Sequence, residues 1–175
     1  MCLATSACRK LWVFDFDDTL AKTDSRVFLV EPDGTRVVMT PHEYTSRVWK
    51  AEEQYNFDYS EFLRLINPRP RAEYMELLHR AREACGPQRV CVLSARSIPD
   101  PIEEFLAIFG AGDVVAHAMG SANPATKAAW MSQRLSAGDV DELEFFDDAE
   151  SNVDAIRALQ DRHPSVRIAA HLVPR

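Results

Sequence analysis

The sequence predicts an α/β fold: a central parallel sheet of about five strands with helices on both faces. Three observations predict it. Short apolar runs near residues 11–16, 89–93, 113–118, 143–146 and 166–173 alternate with segments of helical period, the pattern of βαβ units. The first run, Leu11 to Phe14, is apolar without alternation, as expected of a strand covered on both faces. At 175 residues the chain suits one domain with a substantial core.

Taken in order, residues 1–10 are polar and form a lead-in, and the first strand follows over 11–16. Val27–Val30 and Arg36–Met39 flank Glu31-Pro32-Asp33-Gly34-Thr35, two β-branched runs around a turn, which reads as a hairpin. Thr40-Pro41 with Glu43 has the form of a helix start and predicts a helix over about 41–54. Phe57, Tyr59, Phe62, Leu63 and Leu65 supply packing surface in a mixed segment, which Asn67-Pro68-Arg69-Pro70 ends. Tyr74, Leu77, Leu78, Ala81 and Cys85 recur at helical spacing up to Gly86-Pro87.

Arg89–Leu93 is the second strand of the sheet, followed by Ser94-Ala95-Arg96. Asp100-Pro101 with Glu103 predicts another capping box, opening a helix with Ile102, Phe105, Leu106 and Phe109 on one face and Gly110 at its end. Asp113–Ala118 is the third strand, and Asn123-Pro124 caps a helix with Lys127 in its first turn. Leu143–Phe146 is the fourth, with Asp147-Asp148 directly after it. A helix from about Ser151 to Arg162 carries Val153, Ile156 and Leu159 on one side, Pro164 stops it, and Val166–Val173 is the last strand. The whole is a Rossmann-like three-layer sandwich, a single domain over 1–175, with a small hairpin-and-helix insert at 21–66 that lacks a core of its own.

A net charge of −7 argues against a general nucleic-acid or membrane-surface binder, which needs a basic face. No apolar run approaches the roughly 20 residues of a membrane span, and the N-terminus has no signal-peptide core. The expected location is therefore cytoplasmic. Cys2, Cys8, Cys85 and Cys91 form no CxxC and read as small buried hydrophobes or exposed thiols. The histidines are scattered, with His117 and His171 in strands.

Chemistry concentrates past the strand ends: Asp15, Asp17 and Thr19, then Ser94, then Lys127 near a helix start, then Asp147 and Asp148. In a parallel sheet these ends point one way, toward the crevice where open α/β sheets bind ligands. Crowded carboxylates raise one another's pKa values unless a cation compensates them. All-oxygen ligands with open positions suit Mg²⁺ and a phosphate-bearing substrate. Lys127 and the Ser94 hydroxyl supply a point charge and a donor for that phosphate. Asp15 could then attack phosphorus, and Asp17, two residues on, could protonate the leaving oxygen and activate water. Plainer readings stand beside these. Asp15 with Asp17 is a turn and cap pair, Ser94 an N-cap, Lys127 a solvated helix residue, and Asp147 with Asp148 the cap of the next helix. Most of the nine acidic residues in 139–161 read as a solvated face.

FDFDDTL, VLSAR, Lys127 and FFDDAESN, in that order over residues 11–152, resemble the four motifs of the haloacid dehalogenase-like (HAD) phosphohydrolases. The resemblance implies Asp15 as nucleophile and Mg²⁺ ligand. It implies Asp17 as acid/base with its backbone carbonyl on the metal, and Thr19 as a residue that holds the phosphate-binding loop. Ser94 and Lys127 would bind the transferring phosphoryl group. Asp148 would be the metal ligand of the fourth motif, with Asp147 assisting and Asn152 completing the motif. Lys22 is a weaker candidate for the lysine. Asp18 stands where the family often has a small residue, and no role follows for it. Arg96 either contacts substrate or makes a surface salt bridge.

The short segments after strands one and three imply a capless or minimally capped member. Its open site would suit a phosphorylated polymer end, a phosphoprotein or a small phosphate ester. Arg64, Arg69, Arg71, Arg80, Arg82 and Arg89 cluster in sequence, diluted by glutamates, so a nucleic-acid end is an option that the net charge does not support. The oligomeric state is not readable. A phosphotransferase or mutase on the same scaffold, or a phosphate-binding module without turnover, are the alternative functions.

Overall fold

The computed structural model describes residues 8–46 and 55–175. Strand β1, Lys10–Phe14, is followed by the short β2, Ala21–Lys22, then β3, Val27–Val30, and β4, Arg36–Met39. Helix α1 covers Pro41–Ser46, β5 Asn56–Asp58 and β6 Arg69–Pro70. After α2, Ala72–Cys85, come β7, Val90–Ser94, and α3, Asp100–Ile108. The chain continues with β8, Val115–Ala118, α4, Pro124–Leu135, β9, Glu142–Asp147, α5, Glu150–Arg157, and β10, Arg167–Leu172.

The five-stranded sheet has the order β10-β9-β1-β7-β8, and every pairing in it is parallel. Its strands alternate between two helical layers, which is why the first run shows no polar face. Phe14, Val92 and Phe146 pack with Leu78 of α2 and Phe105 of α3. Leu11, Val13, Leu93 and Phe145 pack with Met131 of α4 and Ile156 of α5. Burying each such side chain contributes roughly 1.5–3 kcal/mol. The expected α/β sandwich is therefore the observed one. The chain runs outward from β1 through β7 to β8, then returns to the other side of β1 for β9 and β10. This reversal puts a topological switch point beside the carboxyl end of β1.

The insert differs from expectation in two ways. The hairpin is present over the expected residues, but β5 pairs with β3 to make a three-stranded antiparallel sheet, β4-β3-β5. Asn56-Phe57-Asp58 is too short to show a period, and Phe57 packs against Tyr44 from α1 and its near neighbour Tyr55. The insert also has a small apolar cluster of its own, Val27, Leu29 and Met39, against which Tyr44, Tyr55, Phe57 and Phe62 pack. The box at Thr40 forms: the Thr40 N–H donates to Glu43 Oε2 (2.7 Å) and the Glu43 N–H to Thr40 Oγ1 (3.1 Å). The helix it opens is described to Ser46; the rest of the expected 41–54 segment lies outside the described residues.

Three other expectations need correction. There is no capping box at Asp100: Pro99 precedes the helix in helical conformation, and Glu103 instead accepts from the Ala116 N–H at 3.4 Å. The last helix tightens into a 3₁₀ turn, Ala158–Asp161, instead of running to Arg162. Cys8 and Cys85 are neither buried thiols nor exposed ones but form a disulfide, with Cα atoms 5.2 Å apart. They are 77 residues apart, and only the placement of Cys8, just before β1, beside the end of α2 brings them together. Disulfides persist in oxidising surroundings, so this bridge pulls against the cytoplasmic expectation. Cys91 is a buried thiol, its pKa pushed up to about 12 by burial; Cys2 lies outside the described residues. Among the described residues no helix is long and apolar enough to cross a membrane.

Candidate active site

Strand register builds the site. Phe14 on β1 pairs with Phe146 on β9, so Asp15 and Asp147 stand side by side, and the Asp15 N–H donates to the Phe146 carbonyl at 2.8 Å. Past Asp15 the chain turns tightly: the Phe16 carbonyl accepts from the N–H groups of Thr19, Leu20 and Ala21. No helix follows, so the turn-and-cap reading of Asp15 and Asp17 falls. Asp18 has φ 59°, a left-handed conformation that aspartate tolerates better than most residues. Its N–H donates to the Ala21 carbonyl, so its role is in the backbone of this turn.

Lys127 is 2% exposed, which removes the solvated-helix reading. Asn123 caps α4, accepting from the Ala125 N–H at 3.0 Å, and thereby sets the helix that carries Lys127 inward. The Lys127 ammonium donates to Asp15 Oδ1 at 2.6 Å and to Asp147 Oδ2 at 2.7 Å. Burial alone would lower its pKa, but the Asp15 and Asp147 carboxylates outweigh burial and raise it. Asp15 is held well above the usual carboxylate range, first by burial and then by Asp147 and Asp148, with Lys127 opposing.

Asp147 is fully buried and heavily engaged. Besides Lys127 it accepts from the Ala149 N–H (2.9 Å) and from Asn152 Nδ2, 3.0 Å from each oxygen. Asn152 thus orients Asp147. Asp148 makes one ion pair, from Arg175 Nε to its Oδ2 at 2.8 Å. Burial raises its pKa, with Asp147 adding and Arg175 opposing. The α5 helix is preceded by Ala149 without a side-chain cap, so neither aspartate is its N-cap.

One oxygen from each of Asp15, Asp147 and Asp148 lies within 4.8 Å of the others. Were all three carboxylates ionised, they would outnumber Lys127 and Arg175 by one charge in a mostly buried place, the conflict that the raised Asp15 and Asp148 pKa values express. Hard oxygen donors with that charge fit a small divalent cation. Asp148 is less engaged than Asp147, so of the two it is the better candidate for a direct ligand, with Asp147 in support.

Ser94 is buried at the end of β7, two positions past Val92, the partner of Phe14. Its Oγ accepts from the Arg96 N–H at 3.2 Å, and α3 starts well beyond it, so it is not an N-cap. Its hydroxyl proton remains available to donate. Thr19 is 0% exposed, and its hydroxyl has no hydrogen-bond partner among the described residues.

Arg96 makes a salt bridge, but the expectation of a surface one is corrected. It is buried, not on the surface, and it touches Asp17: Nε to Oδ2 and Nη2 to Oδ1, both 2.8 Å. Thr23 Oγ1 also donates to Asp17 Oδ1, at 3.0 Å. The sequence carried no sign of Thr23, nor of Arg71, which donates to the carbonyls of Asp18 and Pro174, nor of the Arg175 contact with His42. Thr23 meets Asp17 only through the tight turn between them, and the Arg71 and Arg175 pairs lie far apart in the chain. Compared with known proteins, the chain matches no family model, no curated protein and no solved structure.

Proposed function

We propose that the chain is a Mg²⁺-dependent phosphomonoester hydrolase of the HAD-like kind, working through an aspartyl-phosphate on Asp15. One observation carries this reading: at the end of the central strand, the Asp15 carboxylate shares a buried ammonium with Asp147 and stands beside Asp148. An isolated buried carboxylate would be costly. Here the Lys127 ammonium offsets it, and a divalent cation on the clustered carboxylates would add the positive charge that an anionic phosphoryl group needs.

In the first half-reaction an Asp15 oxygen forms a bond to phosphorus, and the bond to the ester oxygen breaks. The Asp17 carboxyl gives its proton to that oxygen, which leaves as an alcohol. In the second, Asp17 takes a proton from water, the water oxygen bonds to phosphorus, and Asp15 is released as carboxylate with inorganic phosphate. Lys127 holds the phosphoryl oxygens with its ammonium, and the Ser94 hydroxyl donates to one of them. A Mg²⁺ ion held by Asp15, Asp148 and the Asp17 carbonyl would neutralise phosphoryl charge.

The substrate reading narrows. Of the arginines that suggested a polynucleotide end, Arg69 pairs with Asp24, Arg80 with Glu76, Arg82 with Asp113 and Arg89 with Asp139. Each of these four therefore has a carboxylate partner, which weakens the case for a polynucleotide end. The test is hydrolysis of an aryl phosphate. The reading expects activity with Mg²⁺, its loss on chelation, and background rates for Asp15→Asn. Full activity in Asp15→Asn refutes it.

A further inference from the structure

Arg96 uses all five of its side-chain N–H groups. Two grip the oxygens of Asp17. One Nη1 bond reaches the Phe62 carbonyl and another the Arg64 carbonyl, both at 2.9 Å, and Nη2 also reaches Ser25 Oγ at 3.4 Å. The guanidinium lies against the ring of Phe62, 4.9 Å from its centroid, and of Phe16, at 5.8 Å. It is 2% exposed and Ser25 is 0% exposed. Ser25, Phe62 and Arg64 belong to the two ends of the insert, where the chain leaves the sheet and where it returns. One side chain therefore fastens both ends of the insert to Asp17. Planar two-point pairing fixes a carboxylate's direction as a single bond does not.

We propose that Arg96, with Thr23, is a positioning residue that aims the Asp17 carboxyl group at the attacking water and makes that aim depend on the seating of the insert. This rests on the phosphohydrolase reading. Asp17 Oδ1 already accepts from Arg96 and Thr23, whereas Oδ2 accepts from Arg96 alone. Oδ2 thus keeps acceptor capacity for a proton from water. A 1 Å misplacement of a catalytic group can cost on the order of 100-fold, and nothing else in the described structure bonds the Asp17 carboxylate.

An aryl phosphate with a good leaving group separates the two half-reactions. Its phenolate departs without a proton, so formation of the Asp15 adduct does not call on Asp17; breakdown of the adduct does. Stopped-flow release of 4-nitrophenolate is measured in the presence of Mg²⁺ for the native protein, Arg96→Lys and Thr23→Val. Melting curves check that each variant is folded. Arg96→Lys is expected to slow steady-state turnover by about tenfold or more, within the usual range of acid–base contributions. The pre-steady-state burst should meanwhile rise toward one equivalent. Thr23→Val, which leaves Arg96 in place, should show a smaller change of the same kind and decides the matter if Arg96→Lys does not fold. Burst and steady state falling in parallel in the folded variants would mean a merely structural Arg96 and overturn the proposal. A native protein that releases no phenolate at all overturns the phosphohydrolase reading instead.

Discussion

The parallel sheet and the insert that interrupts it are both built of short strands, yet they hold their residues differently. In the sheet, β1 and β7 are covered on both faces, and a shift of one residue would turn Phe14 or Val13 into the wrong helical layer. Register is therefore tightly set, and the carboxylates beyond the strand ends inherit that accuracy. In the insert, three residues form the cluster, while Val37 and Val38 on the edge strand are 41% and 57% exposed. Its position draws on polar contacts, with Arg96 on the Phe62 and Arg64 carbonyls and Arg69 on Asp24 at its base. The sheet places the nucleophile; the insert, through Arg96, bears on the acid/base group two residues later.

That contrast can be broken most severely at Lys127. Lys127→Met leaves Asp15 and Asp147 facing each other in the interior. Removing one partner from such a cluster costs about 3–5 kcal/mol, read as a drop in the denaturant midpoint, and activity should vanish. Leu78→Ala on the sheet's helical layer should cost about 4 kcal/mol and unfold the whole chain in one step. Leu29→Ala in the insert should cost about 2 kcal/mol, and hydrogen exchange should quicken in β3 and β4 while β1 and β7 stay protected. Equal loosening of both regions would erase the distinction.

Smaller effects probe the rims. Arg175→Ala removes a cation that competes for Asp148. The pair is exposed on its Arg175 side only, and about 0.5–1 kcal/mol for it corresponds to roughly two- to fivefold tighter Mg²⁺ binding by calorimetry. At the opposite end of the sheet, hydrogen bonding from Arg134, aided by Arg89, holds Asp139 well below the usual carboxylate range. A depressed carboxylate contributes stability above its unfolded value of 3.8, which is lost as pH falls toward the folded value. Asp139→Asn should therefore lower stability at pH 7 by about 0.2–1 kcal/mol, given the exposure of the pair. The gap from the native protein should close as pH falls below 3.8.

What was legible in the sequence follows the same division. Asp15, Lys127, Asp147 and Asp148 were readable because each sits just past a strand end or in the first turn of a capped helix, and a parallel sheet gathers such positions. The Arg96–Asp17 fork was not, because its partners are 79 residues apart and no local spacing announces them. The same holds for the Cys8–Cys85 bridge and for β5, whose three residues become a strand only by pairing with β3. Asp18 looked like a surplus carboxylate until its left-handed backbone gave it a place in the turn.

The central claim is that Asp15 becomes phosphorylated. Asp17→Asn keeps the nucleophile and removes the group that activates water. Incubated with Mg²⁺ and an aryl phosphate, quenched in acid and digested, it should yield a peptide spanning 11–20 that carries one phosphoryl group on Asp15. Phosphate release by the native protein with no adduct on that peptide in Asp17→Asn, and undiminished turnover in Asp15→Asn, would contradict the account.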